Sequence, residues 1–247
     1  MGWAPPDHAT IMAALDASWP GAEAVRLGGW TLRRGLDGGR RASSVWPASP
    51  PDRDLAEAIA EVERVTAEWG QPALFQLGPP DMGLDATLAE RGYAKATPCL
   101  LMTADAASVA ANGTGGRMVI RVRAPLALLD AFWSAGGIVP ARRAVMARVA
   151  CARETLILRS DDDRVAAACF VAAPGAVAVM SALLVAPSHR RNRLGAHAVA
   201  AAAEWAAEAG AQTLALSVEA ENAAAVALYR RLGFVEASRY WYRQAAV

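Results

Sequence analysis

Val185-Ala186-Pro187-Ser188-His189-Arg190-Arg191-Asn192-Arg193-Leu194-Gly195-Ala196 ends an apolar run, crosses a basic turn and opens an alanine-rich segment. It predicts a strand, a turn and a helix beginning near Gly195. A turn that opens into a helix N-terminus presents unpaired backbone N–H groups and the positive end of the helix dipole. Arg190, Arg191, Asn192 and Arg193 add side-chain donors, and Gly195 allows close approach to the backbone. These features make a diphosphate site. A solvated arginine run capping a helix has the same composition, and this segment alone leaves both readings open.

A second segment, Ser217-Val218-Glu219-Ala220-Glu221-Asn222-Ala223-Ala224-Ala225-Val226-Ala227-Leu228-Tyr229-Arg230-Arg231-Leu232-Gly233-Phe234, reads as a strand end, a helix and a glycine stop. Asn222 suits the N-cap and Gly233 a left-handed C-cap. Asn222 and Tyr229 lie about two turns apart and share a face, with small Ala225 between them.

Composition excludes several classes. The 247 residues suit one large domain or two small ones, with enough chain for a real core. An apolar fraction of 54% with 20% charged residues is not that of a disordered chain. A formal net charge of +1 gives no strong field for nucleic acid or anionic lipid. Cys99, Cys151 and Cys169 form no CxxC, and His8, His189 and His197 form no HExxH, so no metal site is expected. The first residues, Met1-Gly2-Trp3-Ala4-Pro5-Pro6-Asp7, do not read as a signal peptide, and a reducing, cytoplasmic setting is expected. Val165 to Pro187 carries no charge and has the length of a membrane span. Pro174-Gly175 interrupts it, so the expectation is a buried hairpin of Val165–Ala173 and 176–185, with no membrane.

The chain also carries a faint internal repeat. Val45-Trp46-Pro47 resembles Val185-Ala186-Pro187, and Pro47 to Gly70 and Pro187 to Gly210 both span 23 positions. Helical patterns at Asp54–Trp69 and Gly195–Ala209 fill these gaps. Strand-like runs follow at Ala73–Leu77 and Thr213–Val218. Each unit then reaches Gly-aromatic, at Gly92-Tyr93 and Gly233-Phe234, and a last strand at Pro98–Thr103 or Arg239–Arg243. Ala106–Gly116 is small and polar and reads as a linker. The expected halves are 1–112 and 117–247. The second half reads as strand (Met118–Val122), two helices (Leu126–Ala135, Arg142–Ala150), strand (Thr155–Leu158), turn (160–163), hairpin, helix, strand, helix and strand. That order argues for an α/β fold with a mixed central β-sheet flanked by helices.

Together the two quoted segments resemble the GNAT superfamily of acyl-CoA-dependent N-acyltransferases. The family pattern is a strand, V-x-P, a basic R-x-x-G-x-G/A loop opening a helix, and then N-x-x-A-x-x-L-Y-x-x-x-G-F. Asn222, Ala225, Leu228, Tyr229, Gly233 and Phe234 meet the second part without exception. Val185, Pro187, Arg190 and Gly195 meet the first, and Arg193 replaces the first loop glycine. The resemblance covers about residues 117–247 and implies tandem GNAT-like folds. It implies that the backbone of Leu183, Leu184 and Val185 pairs with the pantetheine arm of acetyl-CoA. Arg190, Arg191, Asn192, Arg193, Leu194, Gly195 and Ala196 would hold the diphosphate, and Asn222 would contact the pantetheine region. Tyr229 would be the general acid, since a phenol can protonate a leaving thiolate. Glu219 is a possible base at a strand end, where a glutamate is more often just a surface carboxylate.

In the first half the matching loop is Ala48-Ser49-Pro50-Pro51-Asp52-Arg53, with no glycine and two prolines that lack backbone donors. Leu88 stands in the place of Tyr229. This half therefore reads as a degenerate GNAT-like domain that walls the acceptor pocket. Of the scattered tryptophans, Trp205 reads as core. Trp133 and Tyr240-Trp241-Tyr242 fit either core or an acceptor cavity. The expected activity is transfer of an acetyl group from acetyl-CoA to a small-molecule or peptide amine by direct attack. No cysteine in either motif offers a covalent route. The alternative from another class is a non-catalytic acyl-CoA-binding module. Monomer and dimer are equally open.

Overall fold

The computed structural model of the chain describes residues 2–123, 126–160 and 163–245. The turn expected at 160–163 lies partly outside these residues. The first half contributes α1 (His8–Ser18), β1 (Glu23–Leu27), β2 (Trp30–Arg34), β3 (Val45–Pro47), α2 (Leu55–Glu68), β4 (Leu74–Leu77), α3 (Met82–Glu90) and β5 (Ala94–Asp105). A short helix, α4 (Ala106–Ala110), follows. The second half contributes β6 (Val119–Val122), α5 (Ala127–Ala135), α6 (Pro140–Arg148), β7 (Ala152–Arg159), β8 (Val165–Ala173), β9 (Val177–Val185), α7 (Leu194–Glu208), β10 (Thr213–Glu219), α8 (Ala223–Arg231) and β11 (Val235–Gln244).

The apolar run from Val165 is a buried antiparallel hairpin, β8 against β9. Among the described residues no helix is long and apolar enough to cross a membrane. The repeat landmarks fall at matching places. In each half a strand runs through a helix to a parallel neighbour, β3–α2–β4 and β9–α7–β10. Gly92 and Gly233 end α3 and α8 with φ of 82° and 91°, a left-handed conformation that glycine adopts without strain. Asp54 and Asn222 cap α2 and α8 by accepting from Ala56 N and Ala225 N.

The eleven described strands form one sheet in the order β1-β2-β3-β4-β11-β5-β10-β9-β8-β7-β6. The last strand of each half has crossed to the other. β5 lies between β11 and β10, antiparallel to both, while β11 pairs with β4. One clamp holds this exchange. Asp85 on α3 accepts from Arg243 Nε at 2.8 Å, Arg243 Nη2 at 2.9 Å and Trp241 Nε1 at 2.6 Å, both partners being on β11. Arg243, first among its partners, holds the Asp85 carboxyl below the usual range.

The stretch from Ala106 to Gly116 is not all linker, which corrects the sequence reading. Its first five residues form α4, capped by Asp105, whose carboxylate accepts from Ser108 N at 2.8 Å. Ala106 and Val109 are buried in the same core as Ala198, Ala202 and Ala206 of α7. Small side chains on both helices make the close packing possible, so a composition that looks empty supplies an interface.

Asp85→Ala should lower unfolding free energy by roughly 3–5 kcal/mol at pH 7 in urea titrations, because it strands a largely buried guanidinium. The folded pKa of Asp85 is depressed, so its contribution is present above the unfolded value of roughly 4 and fades as pH falls through the folded one. The gap between wild type and variant should therefore narrow below about pH 4.

Candidate functional site

Parallel strands β9 and β10 pair only from Val177↔Thr213 to Met180↔Leu216. Beyond that point they part. β10 continues against β5 through Ser217, Val218 and Glu219. β9 stays with β8 but carries a bulge: between Phe170↔Ser181 and Ala168↔Leu184, Ala182 and Leu183 oppose the single residue Cys169. Ala182 sits at φ 53°, in the left-handed region. The backbone edge of Leu183, Leu184 and Val185 that faces away from β8 therefore has no strand partner among the described residues.

A cavity of ≈ 1030 Å³ opens at this parting. Leu183, Leu184 and Val185 line one wall; Asn222, Ala225, Leu228 and Tyr229 of α8 line another. Arg190, Arg191, Arg193, Leu194, Gly195 and Ala196 line it at the start of α7, and Glu219 of β10 lines it too. Of the residues expected from sequence, Asn192 alone is not among those lining this cavity.

At the start of α7 the amides of Arg191, Asn192, Arg193, Leu194, Gly195 and Ala196 find no acceptor among the described residues; the first bond of the helix is His197 N to Arg193 O, 3.0 Å. Six consecutive donors, five of them on residues that line the cavity, are thus open where the helix dipole is positive. Arg193 occupies the N-cap with φ 59°, and Arg191 has φ 65°. The left-handed geometry at residue 193 is the one a glycine fits most easily, and here an arginine adopts it and lines the cavity. Gly195 serves packing as well as access: a Cβ there would stand 3.2 Å from Leu228 Cδ2.

Asn222 Oδ1 is engaged in capping, accepting from Ala225 N at 3.1 Å. Tyr229 is 7% exposed, stacks in a tilted contact on Phe234 at 5.7 Å, and its hydroxyl has no hydrogen-bond partner among the described residues. Burial, then the neighbouring Cys169, pushes its pKa up to about 12. The phenol is therefore fully protonated at neutral pH, with its O–H free for a ligand in the cavity.

A second cavity of ≈ 370 Å³ adjoins the first, and Arg142, Ser181, Ala182, Ser217 and Glu219 line both. Its other walls come mainly from the first half and the crossed strands: Trp19, Arg40, Arg41, Thr97, Cys99, Tyr240 and Tyr242. The hydroxyls of Ser217 and Tyr240 are 2.7 Å apart and hydrogen-bonded. Burial pushes the Cys99 thiol up and holds Tyr242 at about 12, so both are neutral. Trp133 and Trp241 take no part. Trp133 is buried among the side chains of α5 and α6, and Trp241 donates to Asp85. Trp205 is core, as its spacing predicts.

The first half differs at the matching junction. Ser49 N donates to Gly29 O and Gly29 N to Pro50 O, so the loop after β3 is tied to the β1–β2 turn. Leu88 is fully buried in a cluster with Trp30, Phe75 and Tyr93.

A family model described as "Acetyltransferase (GNAT) family" matches residues 129–234. An uncharacterized N-acetyltransferase of Bacillus subtilis (strain 168), YobR, is 30% identical over 246 residues, covering 96% of this chain and 98% of its own. Among solved structures, a GCN5-related N-acetyltransferase from Kribbella flavida superposes with a TM-score of 0.71 at 19% identity, over 99% of this chain and 97% of its own. A tandem GNAT protein from the clavulanic acid biosynthesis pathway superposes with a TM-score of 0.64 at 16% identity, over 99% and 89%. Sequence relationship along the whole chain, the parted strands and the open helix N-terminus lead to one conclusion: the chain belongs to the GNAT family of N-acetyltransferases and has a tandem GNAT fold.

Proposed function

We propose that the protein transfers an acetyl group from acetyl-CoA to a primary amine by direct attack, with Tyr229 as the general acid. The observation that carries this reading is the row of six unpartnered amides at the start of α7, beside the unpaired edge of β9. Leu183, Leu184 and Val185 would bond the pantetheine arm as a missing strand would. Arg190 to Ala196 would bind the diphosphate, with Asn192 set back from the cavity wall. The carboxamide nitrogen of Asn222 would donate to the arm, since its oxygen is already used.

The amine nitrogen attacks the thioester carbon, and the C–S bond then breaks. The departing sulfur takes a hydrogen bond from Tyr229, which is well suited to donate because burial keeps it protonated. A phenol with a pKa of about 12 is a weaker acid than a thiol, so its proton moves late and is shared until C–S cleavage is advanced. Glu219 would accept the proton released by the attacking amine. It lines both cavities and forms no ion pair among the described residues. Cys99 borders the acceptor cavity, but its raised pKa keeps it a thiol rather than the thiolate a covalent relay would need.

In this reading residues 117–247 carry the donor site, while residues 1–112 bind no CoA and shape the acceptor cavity. The closed Ser49 loop and buried Leu88 support that division.

Tyr229→Phe should lower kcat about 10²-fold or more while leaving the Kd for acetyl-CoA within twofold. Its urea midpoint should stay close to wild type, because the lost hydroxyl has no hydrogen-bond partner among the described residues. Release of CoA measured across a panel of amines checks the first point, and calorimetry the second. In the wild type kcat should show no basic limb from Tyr229 up to pH 10. Acetyl-CoA binding without turnover on any amine would return the chain to the binding-module reading. A Tyr229→Phe enzyme with unchanged kcat would remove the general-acid role.

A further inference from the structure

We infer that the acceptor is a small amine bearing an anionic group, which Arg41 and Arg142 hold across the junction of the two halves while the amine lies beside Glu219. The inference rests on the transferase reading and specifies its substrate.

Arg41 belongs to the short helix before β3, and Arg142 to α6. They come from different halves and meet over one indole. Their guanidinium carbons lie 5.0 Å and 5.8 Å from the ring centroid of Trp19. Trp19 is 2% exposed and donates through Nε1 to Gly38 O at 3.2 Å, so the platform is fixed. Arg41 Nη2 also donates to Ser181 Oγ at 3.2 Å, which ties it to the bulged part of β9.

The charges in this cavity do not balance. Among the described residues Arg40, Arg41 and Arg142 face it with one carboxylate, Glu219. Its other titratable groups, Cys99, Tyr240 and Tyr242, are neutral at pH 7. Neither Arg41 nor Arg142 has an ion pair among the described residues, whereas Arg33 and Arg243 are matched to Asp16 and Asp85. Burial and the adjacent Arg41 both weaken the hold of Arg142 on its proton, the cost of two cations side by side. An anion relieves that cost. Forked guanidinium donors match carboxylate and phosphate oxygens in two-point contacts. At ≈ 370 Å³ the cavity is near the small end of ligand sites, which favours a small molecule over a peptide. Glu219 occupies the wall shared with the donor cavity, so an amine there stands next to the thioester arm.

The test compares matched acceptors in full-length protein. Initial rates are measured with an α-amino acid, its amide and the corresponding alkylamine, and with ethanolamine phosphate against ethanolamine. The anionic member of at least one set should have a kcat/KM tenfold or more above its neutral partners. The two sets separate carboxylate from phosphate recognition. Arg41→Gln should reduce the preference to threefold or less by raising KM, with the Kd for acetyl-CoA within twofold. Arg41→Lys should restore part of it. Calorimetry with the N-acetylated anion in the presence of CoA supplies a readout besides turnover: binding to wild type, and at least tenfold weaker binding to Arg41→Gln. Equal use of neutral and anionic amines, or a preference unchanged in Arg41→Gln, overturns the inference. If no amine is acetylated, the transferase reading fails, and binding of the N-acetylated anion still decides whether the arginines form an anion site.

Discussion

A sheet interior tolerates few unpaired amides, because each buried N–H or C=O without a partner costs about 1–3 kcal/mol. The bulge at Ala182 creates several at once by turning β9 away from β10 while β10 continues along β5. Every feature of the candidate site is arranged around that opening. The backbone edge of β9 faces it, the first turn of α7 aims free amides at its end, and α8 sets Asn222, Ala225 and Tyr229 along its far wall. In the proposed reading, a ligand with an extended, amide-bearing arm and a diphosphate at one end would satisfy these groups together.

The strand exchange gives the opening its second side. β5 borders β10, and β11 follows β5, so Cys99, Tyr240 and Tyr242 stand beyond Ser217 and Glu219 instead of solvent. The first half reaches the same place with Trp19 and Arg41. The two halves therefore share one sheet and line one cavity together, and Asp85 on Arg243 and Trp241 fastens the crossing. The first half keeps the repeat's element order but spends its own junction on packing, with Leu88, Trp30 and Phe75 in contact.

Much of this was legible in the residues. Gly92 and Gly233 mark helix ends because a left-handed residue is needed there, and Asn222 and Tyr229 share a face because seven residues make two turns. The basic loop read correctly as a helix N-terminus because unpaired amides follow from any helix start. The crossing of β5 and β11 was not legible: the alternation of a strand states which face is buried, not which strand lies beside it. The Ala106–Ala110 helix was missed because alanine packs closely without looking hydrophobic in a short window. Arg41, Arg142, Trp19 and Cys99 were missed because they meet through the fold and carry no local spacing. Asp105 before Ser108 was the one signal that a helix starts there.

The central claim is that the start of α7 and the parted strands recognise a diphosphate joined to a pantetheine arm. Calorimetric titration of the protein with CoA, dephospho-CoA, 4′-phosphopantetheine and pantetheine tests it most directly. Charge-assisted hydrogen bonds are worth roughly 1.5–3 kcal/mol each. Pantetheine should therefore bind at least ~10²-fold more weakly than CoA, 4′-phosphopantetheine should recover part of the loss, and dephospho-CoA should stay near CoA. Pantetheine binding within threefold of CoA would contradict the account.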